Sequence, residues 1–141
     1  MFWTNKGTRI LAAFNFDDSF AFAKIFYEFD ASTLETVGAS FNGHTQVIKG
    51  LALSSDGALI ASASFDNTIK LWAFDSRQLL ASFNVINPHI VVLSPDTQQL
   101  AYGTPSEVYI CNIPPNILAS IRLVTKGHSK VRLTYLYSSL I

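Results

Sequence analysis

One cysteine, Cys111, stands in 141 residues. A single thiol closes no internal disulfide and supplies no thiolate set for zinc, so a stapled secreted scaffold is excluded and a reducing compartment fits best. Charge is scarce as well: Asp, Glu, Lys and Arg are 14% of the residues, with ten basic and ten acidic side chains, against about 25% charged in an average globular protein. A net charge of zero removes the long-range field that draws a protein to nucleic acid or an anionic membrane. It also lowers solubility. Long apolar runs are missing too. The stretches 10–16 and 20–29 carry or adjoin Asp17, Asp18, Lys24 and Glu28, and neither reaches the roughly 18 to 20 residues of a membrane span. Met1 to Lys6 have no apolar core behind them of the kind a signal peptide needs. A soluble, cytoplasmic protein with no membrane partner is expected.

Apolar residues, by contrast, are 49% of the chain, which rules out disorder driven by polarity and charge. The length suits one domain. Eleven Phe, five Tyr and two Trp fall at alternate positions in short runs, a pattern that favours strands over helices. Phe20, Phe22 and Phe26 also fit a helix face, but Asp17-Asp18-Ser19 before them suits a hairpin better.

The chain repeats itself. Ala39-Ser40-Phe41-Asn42 returns as Ala81-Ser82-Phe83-Asn84, 42 positions on, and more loosely as Ala119-Ser120-Ile121; Gly43-His44 returns as Gly127-His128. Leu53-Ser54-Ser55-Asp56 is matched by Leu93-Ser94-Pro95-Asp96. A period of about 40 to 45 residues is the signature of a propeller. In the clearest unit, 47–53, 59–64, 68–72 and 78–83 are short runs separated by Ser-Asp-Gly, Phe-Asp-Asn and Asp-Ser-Arg, so four strands per unit follow. Gly57 tolerates positive φ in its turn, while Asp56, Asp66 and Asn67 bond their own backbone. The small residues Gly50, Ala52, Ala61 and Ala63 let flat sheets approach face to face. A strand-only fold is expected.

Gly43-His44, then Leu53-Ser54-Ser55-Asp56-Gly57, then Leu59 through Trp72 closely resemble the WD40 repeat. The departure is Ala73, where that family's Asp follows the Trp. The resemblance implies four-stranded antiparallel blades set radially around a channel, used as platforms for protein assembly. It also implies a buried tetrad of His44, Ser62, Asp66 and Trp72, in which the Asp carboxylate is satisfied by turn amides and the His ring, the His by Ser62, and Ser62 by the indole N–H. The neighbouring units lack the set. Tyr102 and Cys111 replace the Ser and the Trp in the third. In the first, Asp17 alone survives, and Tyr27-Glu28-Phe29-Asp30 resembles Trp72-Ala73-Phe74-Asp75.

Ser62, His44 and Asp66 are also the residue types of a hydrolase triad. Catalysis is not expected, because Ser62 sits mid-strand rather than on a strained turn, and no G-x-S-x-G occurs. Cys111 in a Trp slot reads as a small core residue rather than half of a thiol dyad with His89 or His128. The three histidines lie in different units, so no metal is expected, and no phosphate cradle or other cofactor site is present. Arg122, Lys126, Lys130 and Arg132 form an acid-free stretch that reads as a solvated loop and strand edge. A nucleic-acid partner is therefore not expected.

The expected architecture is all-β: one WD40-like propeller segment over 1–141, with blade 1 at 2–41, blade 2 at 42–83, blade 3 at 84–122 and the opening strand of a further blade at 128–139. Trp3 to Gly7 match Leu53 to Gly57, so the first blade holds only the end of its innermost strand. Three blades do not close a ring, and a partial or oligomer-completed propeller is expected. The expected role is a non-catalytic scaffold binding other proteins, a second copy among them. The alternative is a ligand-sensing module at the C-terminus of a NACHT-type signalling protein, whose propellers this repeat style resembles.

Overall fold

Alternation with turn chemistry makes strands here, and the strands pair with their sequence neighbours. The computed structural model describes residues 1–4, 7–15, 23–124 and 138–140. Among them lie three four-stranded antiparallel sheets. The first holds β1 (Phe2–Trp3), β2 (Arg9–Ala13), β3 (Ile25–Asp30) and β4 (Phe41–Asn42). The second holds β5 (Ile48–Leu53), β6 (Leu59–Ser64), β7 (Thr68–Ala73) and β8 (Leu79–Asn84). The third holds β9 (Ile90–Leu93), β10 (Gln99–Gly103), β11 (Val108–Asn112) and, past a helix α1 (Pro115–Val124), β12 (Ser138–Leu140).

The turn after each innermost strand is built the same way three times. In the second sheet, the Ser54 amide donates to the Leu59 carbonyl and the Gly57 amide to the Ser54 carbonyl. Thr4 with Arg9 and Gly7, and Ser94 with Gln99 and Thr97, repeat both bonds. Gly57 and Gly7 take φ of +74° and +68° there, and Thr97 takes +60° in the same place.

Strand register stacks equivalent rows across the sheets. Leu53–Ile60–Trp72 in the second sheet corresponds to Leu93–Leu100–Cys111 in the third. Leu51–Ser62–Lys70 corresponds to Val91–Tyr102–Tyr109, so Tyr102 and Cys111 do stand in the Ser62 and Trp72 places. In the first sheet, Ile10 pairs with Phe29 as Ile60 pairs with Trp72. Phe29, not Tyr27, therefore occupies the tryptophan place. The expected alignment was two residues off, a slip that period-2 alternation hides because it keeps the same face.

The second sheet is packed on both sides, which is why all six residues of β6 are buried. Toward the first sheet, Ile60 and Trp72 join Leu11, Phe26, Phe41 and Ile48. Phe26 stacks on Phe41 at 4.4 Å between centroids, and Trp72 meets both rings edge-on at 5.5 and 5.9 Å. Toward the third sheet, Leu59, Ala61, Ala63, Ile69 and Leu71 join Val91, Leu100, Tyr102 and Cys111.

Two expectations fail at the C-terminal side. Residues 115–124 are helical rather than strand, and 138–140 pair with β11 as the fourth strand of the third sheet rather than opening a further blade. Blade 3 thus extends to residue 140 instead of closing at 122. The helix has a physical cause. Pro115 occupies the first helical position, where a missing N–H costs nothing; the Pro114 carbonyl accepts from Ile117; and Ile117 and Ile121, one turn apart, are both buried in the core. The likeness of Ala119-Ser120-Ile121 to Ala39-Ser40-Phe41 concealed that spacing. Residues 128–137 of the expected opening strand, together with Asp17, His128, Lys126, Lys130 and Arg132, lie outside the described residues.

Candidate functional site

Four side chains from four separate segments of the middle blade meet at one edge of it. His44 lies in the loop before β5, Ser62 in mid-β6, Asp66 in the turn from β6 to β7, and Trp72 on β7. The turn places Asp66 by local chemistry. Asn67 adopts φ of +61°, and the Asp66 carboxylate accepts from the Thr68 amide at 3.0 Å and the Thr68 hydroxyl at 2.6 Å. Its other oxygen accepts from His44 Nδ1 at 2.8 Å and from the Thr45 amide at 3.0 Å.

That leaves His44 Nε2 as an acceptor for the Ser62 hydroxyl at 2.7 Å, and Ser62 Oγ accepts the Trp72 indole N–H at 2.9 Å. Donors and acceptors alternate consistently only for the tautomer with the proton on Nδ1. All four predicted residues are thus joined in one relay. Gly43 is required beside it: a Cβ there would stand 2.9 Å from the Trp72 ring.

Burial holds the His44 ring below its ordinary pKa of 6.5, against the opposing pull of the Asp66 carboxylate. For Asp66, burial pushes the pKa up, but hydrogen bonds from Thr68, His44 and Thr45 together outweigh it and leave the carboxyl below 3.8. The pair is therefore a neutral imidazole on a carboxylate. Ser62 is fully buried and both its hydrogen-bonding roles are taken, so a substrate carbonyl has no approach to Oγ. Burial raises the Cys111 thiol above its ordinary value, away from the thiolate a nucleophile needs.

A second polar cluster was not singled out from the sequence. Glu28 on β3 is buried at the seam between the first two sheets, bonded to Arg77 and, at 3.4 Å, to Arg9. The Arg77 guanidinium also lies over the Phe41 and Phe74 rings, 4.8 and 5.0 Å from their centroids. Register puts Glu28 where the second sheet has Leu71. A lone acid inside the apolar run Ile25-Phe26-Tyr27-Glu28-Phe29 was the available signal.

The relay anchors an exposed loop edge. The Asn67 side chain accepts the Asn87 amide, and the Asn67 carbonyl accepts that of Val85, which ties the 85–89 loop to the 65–67 turn. A bulge between Ile48 and Gly50 turns Lys49 outward. Its ammonium rests 4.3 Å from the Phe65 ring centroid, and the His89 ring packs on the other partner of that pair, 5.3 Å from Phe65. Ile86 projects beside them, 83% exposed. Between the innermost strands β1, β5 and β9 an open cleft of about 530 Å³ is lined by Phe2, Leu51, Leu53 and Val91 among others. Among the described residues no three His, Cys, Asp or Glu side chains converge as metal ligands, and no helix is long and apolar enough to cross a membrane.

Repeated four-stranded blades, packed face to face, with a buried His–Ser–Asp–Trp relay in one of them, define a β-propeller architecture. The chain carries a WD40 repeat: the family described as WD domain, G-beta repeat matches residues 35–73. Its relatives are WD-repeat proteins and similar chains. Small ribosomal subunit protein RACK1 of Candida albicans is 37% identical over 76 residues, 53% of this chain and 24% of that protein. Ribosome assembly protein 4 of Saccharomyces cerevisiae is 42% identical over 45 residues, 32% of this chain and 9% of that protein. Eukaryotic translation initiation factor 3 subunit I of Culex quinquefasciatus is 35% identical over 69 residues, 48% of this chain and 21% of that protein. The chain thus spans a quarter or less of the length of these relatives. Among solved structures, the β-propeller domain of Cps50 (Swd1) from Myceliophteria thermophila superposes with a TM-score of 0.57 at 18% identity, over 63% of this chain and 29% of that one, a likeness of fold.

Proposed function

We propose that this chain is a non-catalytic scaffold that binds other proteins through the loop edge bearing Lys49, Phe65, Ile86 and His89. The observation that carries this reading is the pairing of an exposed aromatic and aliphatic patch with a support that cannot easily move. Phe65 is flanked by Lys49 and His89, and the residue next to it, Asp66, is fixed by four hydrogen bonds. A rigid aromatic anchor beside a cation loses little entropy on binding, which is the character of an interface hot spot. The relatives named for the small ribosomal subunit and for initiation factor 3 support a role within protein assemblies. The same relay supports a structural rather than a chemical role for Ser62, His44 and Asp66. No feature of the described residues favours the ligand-sensing alternative.

Photo-crosslinking tests the reading. A photoreactive amino acid at Ile86 should capture discrete proteins from extract, and Lys49→Glu with Phe65→Ser should abolish the capture without moving the melting temperature. Capture unchanged by that pair, or equal to capture from a photoreactive residue at Ser55 on the opposite edge, overturns it. Turnover of an ester or peptide substrate that Ser62→Ala removes, with the fold intact, would overturn the non-catalytic half.

A further inference from the structure

The fourth strand of a blade follows its partner at a nearly constant distance along the chain. In the first sheet Phe41 stands opposite Phe26, 15 positions on, and in the second Phe83 stands opposite Ile69, 14 positions on. Register makes these the same place, since Phe29 and Trp72 are equivalent. Both Phe41 and Phe83 end the repeated Ala-Ser-Phe, and both are buried. In the third sheet the equivalent place on β11 is Val108, and the echo Ala119-Ser120-Ile121 would set Ile121 opposite it, 13 positions on. The strand paired there comes from much further away. Tyr109 faces Leu140, 31 positions on, and the described register covers three residues of β11, Tyr109 to Cys111. One edge of β11 therefore has two claimants, 119–121 by repeat and 138–140 by pairing.

The helix that holds 119–121 has little local support. Pro114 stands at its N-cap and offers no side-chain acceptor to the first-turn amides, and that turn holds no acid. Ile117, Ser120, Ile121 and Val124 are poorer helix formers than Ala or Leu. Ten residues also fall short of the roughly 12 to 15 below which an isolated helix is marginal. What holds α1 is the burial of Ile117 and Ile121 with residues of the second and third sheets. The same stretch carries hairpin chemistry: Ile113-Pro114-Pro115-Asn116 has the residues of a turn, and the isoleucines beyond it favour a strand. Local preference and tertiary burial oppose each other over 115–124, the condition under which two packings of one sequence lie close in free energy.

We propose that residues 117–121 exchange between helix α1 and the fourth-strand place on β11, displacing 138–140, so that the third blade is a two-state element. In the helical state Ile117 and Ile121 are buried in the core shared by the second and third sheets, and 138–140 complete the sheet. In the strand state Ala119 faces Ile110 and Ile121 faces Val108, 138–140 are released, and the shared core gives up its two isoleucines. β11 keeps a hydrogen-bonded partner in both states, so neither leaves its edge groups unmet. Whatever holds 138–140 away from β11 shifts the blade toward the strand state. The device is separate from the loop edge bearing Phe65, and either can fail alone.

Disulfide trapping in the full 141-residue chain tests it, in a Cys111→Ala background that removes the native thiol. Ile110→Cys with Ser139→Cys reads the helical state, and Ile110→Cys with Ala119→Cys the strand state, since directly opposed residues of antiparallel strands have Cα atoms within disulfide reach. Both pairs should close in a glutathione redox buffer. Adding Ser139→Pro and Leu140→Pro should speed closure of the 110–119 pair severalfold, because neighbouring N–H groups on a strand alternate in direction and one of the two prolines must remove a ladder donor. Pro114→Ser, which supplies an N-cap acceptor, should slow that closure severalfold. The proposal is overturned if the 110–119 pair stays open while 110–139 closes, or closes at a rate that neither change moves. Equal closure of Ile110→Cys with Leu118→Cys, which lies on the other face of a strand, overturns it too. Should Ile110→Cys not fold, the carbon chemical shifts of Ala119 in the otherwise native chain decide: a helical value that the two prolines move toward strand supports the exchange, and one they leave unmoved overturns it.

Discussion

Asp66 joins the most bonds of any side chain in the relay, and its removal is expected to be felt most. Truncation to Ala leaves the His44 ring, the Thr68 hydroxyl and two backbone amides without their acceptor. The expected cost is about 1.5 to 3 kcal/mol, the range for hydrogen bonds to a charged group, measured as a fall in urea midpoint at constant slope; an unchanged midpoint would contradict the relay's structural role. The same residues set an acid sensitivity. The folded-state pKa of His44 lies below 6.5, so as pH falls the unfolded chain takes up the proton first, and the contribution of the neutral ring is full above about 6.5 and declines below it. The Asp66 pKa is also lowered, from 3.8; its contribution is present above that value and is lost as pH falls through the lower folded-state one. Both act in one direction. Denaturation midpoints should drop between pH 7 and 5 and again below pH 4, and His44→Asn should flatten the first drop.

Among the elements, the turns show where local sequence and geometry agree and where they do not. Gly57 and Thr97 occupy the same position after their innermost strands, at φ of +74° and +60°. A β-branched residue in the left-handed region carries a strain of roughly 1 kcal/mol that glycine avoids. Thr97→Gly should therefore raise stability by at most about 0.5 kcal/mol once the roughly 0.5 to 1 kcal/mol entropy of the added glycine is subtracted, seen as a slightly higher melting temperature. The third blade has Tyr102 and Cys111 where the second has Ser62 and Trp72, so the Ser–Trp half of the relay has no counterpart among its described residues. Hydrogen exchange should be faster at Leu100–Tyr102 than at Ile60–Ser62; equal protection would mean that the apolar seam alone sets local stability.

Across the whole molecule, the seam between the first two blades is distinguished from the second seam by the buried Glu28–Arg77 pair. Arg77→Met leaves Glu28 with Arg9 alone and is expected to cost about 2 to 3 kcal/mol, somewhat below the ~3–5 for breaking a fully buried pair, since Arg77 keeps some contact with solvent. Adding Glu28→Leu, the residue type found at the equivalent Leu71, should recover most of that loss, and a double-mutant cycle by chemical denaturation measures the coupling. If the loss in the double equals the sum of the losses in the two singles, Glu28 and Arg77 act independently.

The repeat, the four-strand unit, its turns and the membership of the relay were legible in the sequence because each rests on chemistry within a few residues. Gly57 and Asn67 adopt the backbone their turns demand, Asp66 bonds Thr68 two residues on, and alternation assigns faces without knowledge of neighbours. The tertiary structure decided the rest. Residues 115–124 resembled a strand by echo, but the burial of Ile117 and Ile121 against the blades made them a helix, and β11 took 138–140 as its last partner. The tryptophan place of the first blade went to Phe29 because register is set by pairing along the whole of β2 and β3. Glu28 and Arg77 lie 49 residues apart, and no local signal marks them as partners. Such pairs exist only once two sheets are brought face to face, when burial makes an unpartnered charge too costly to keep.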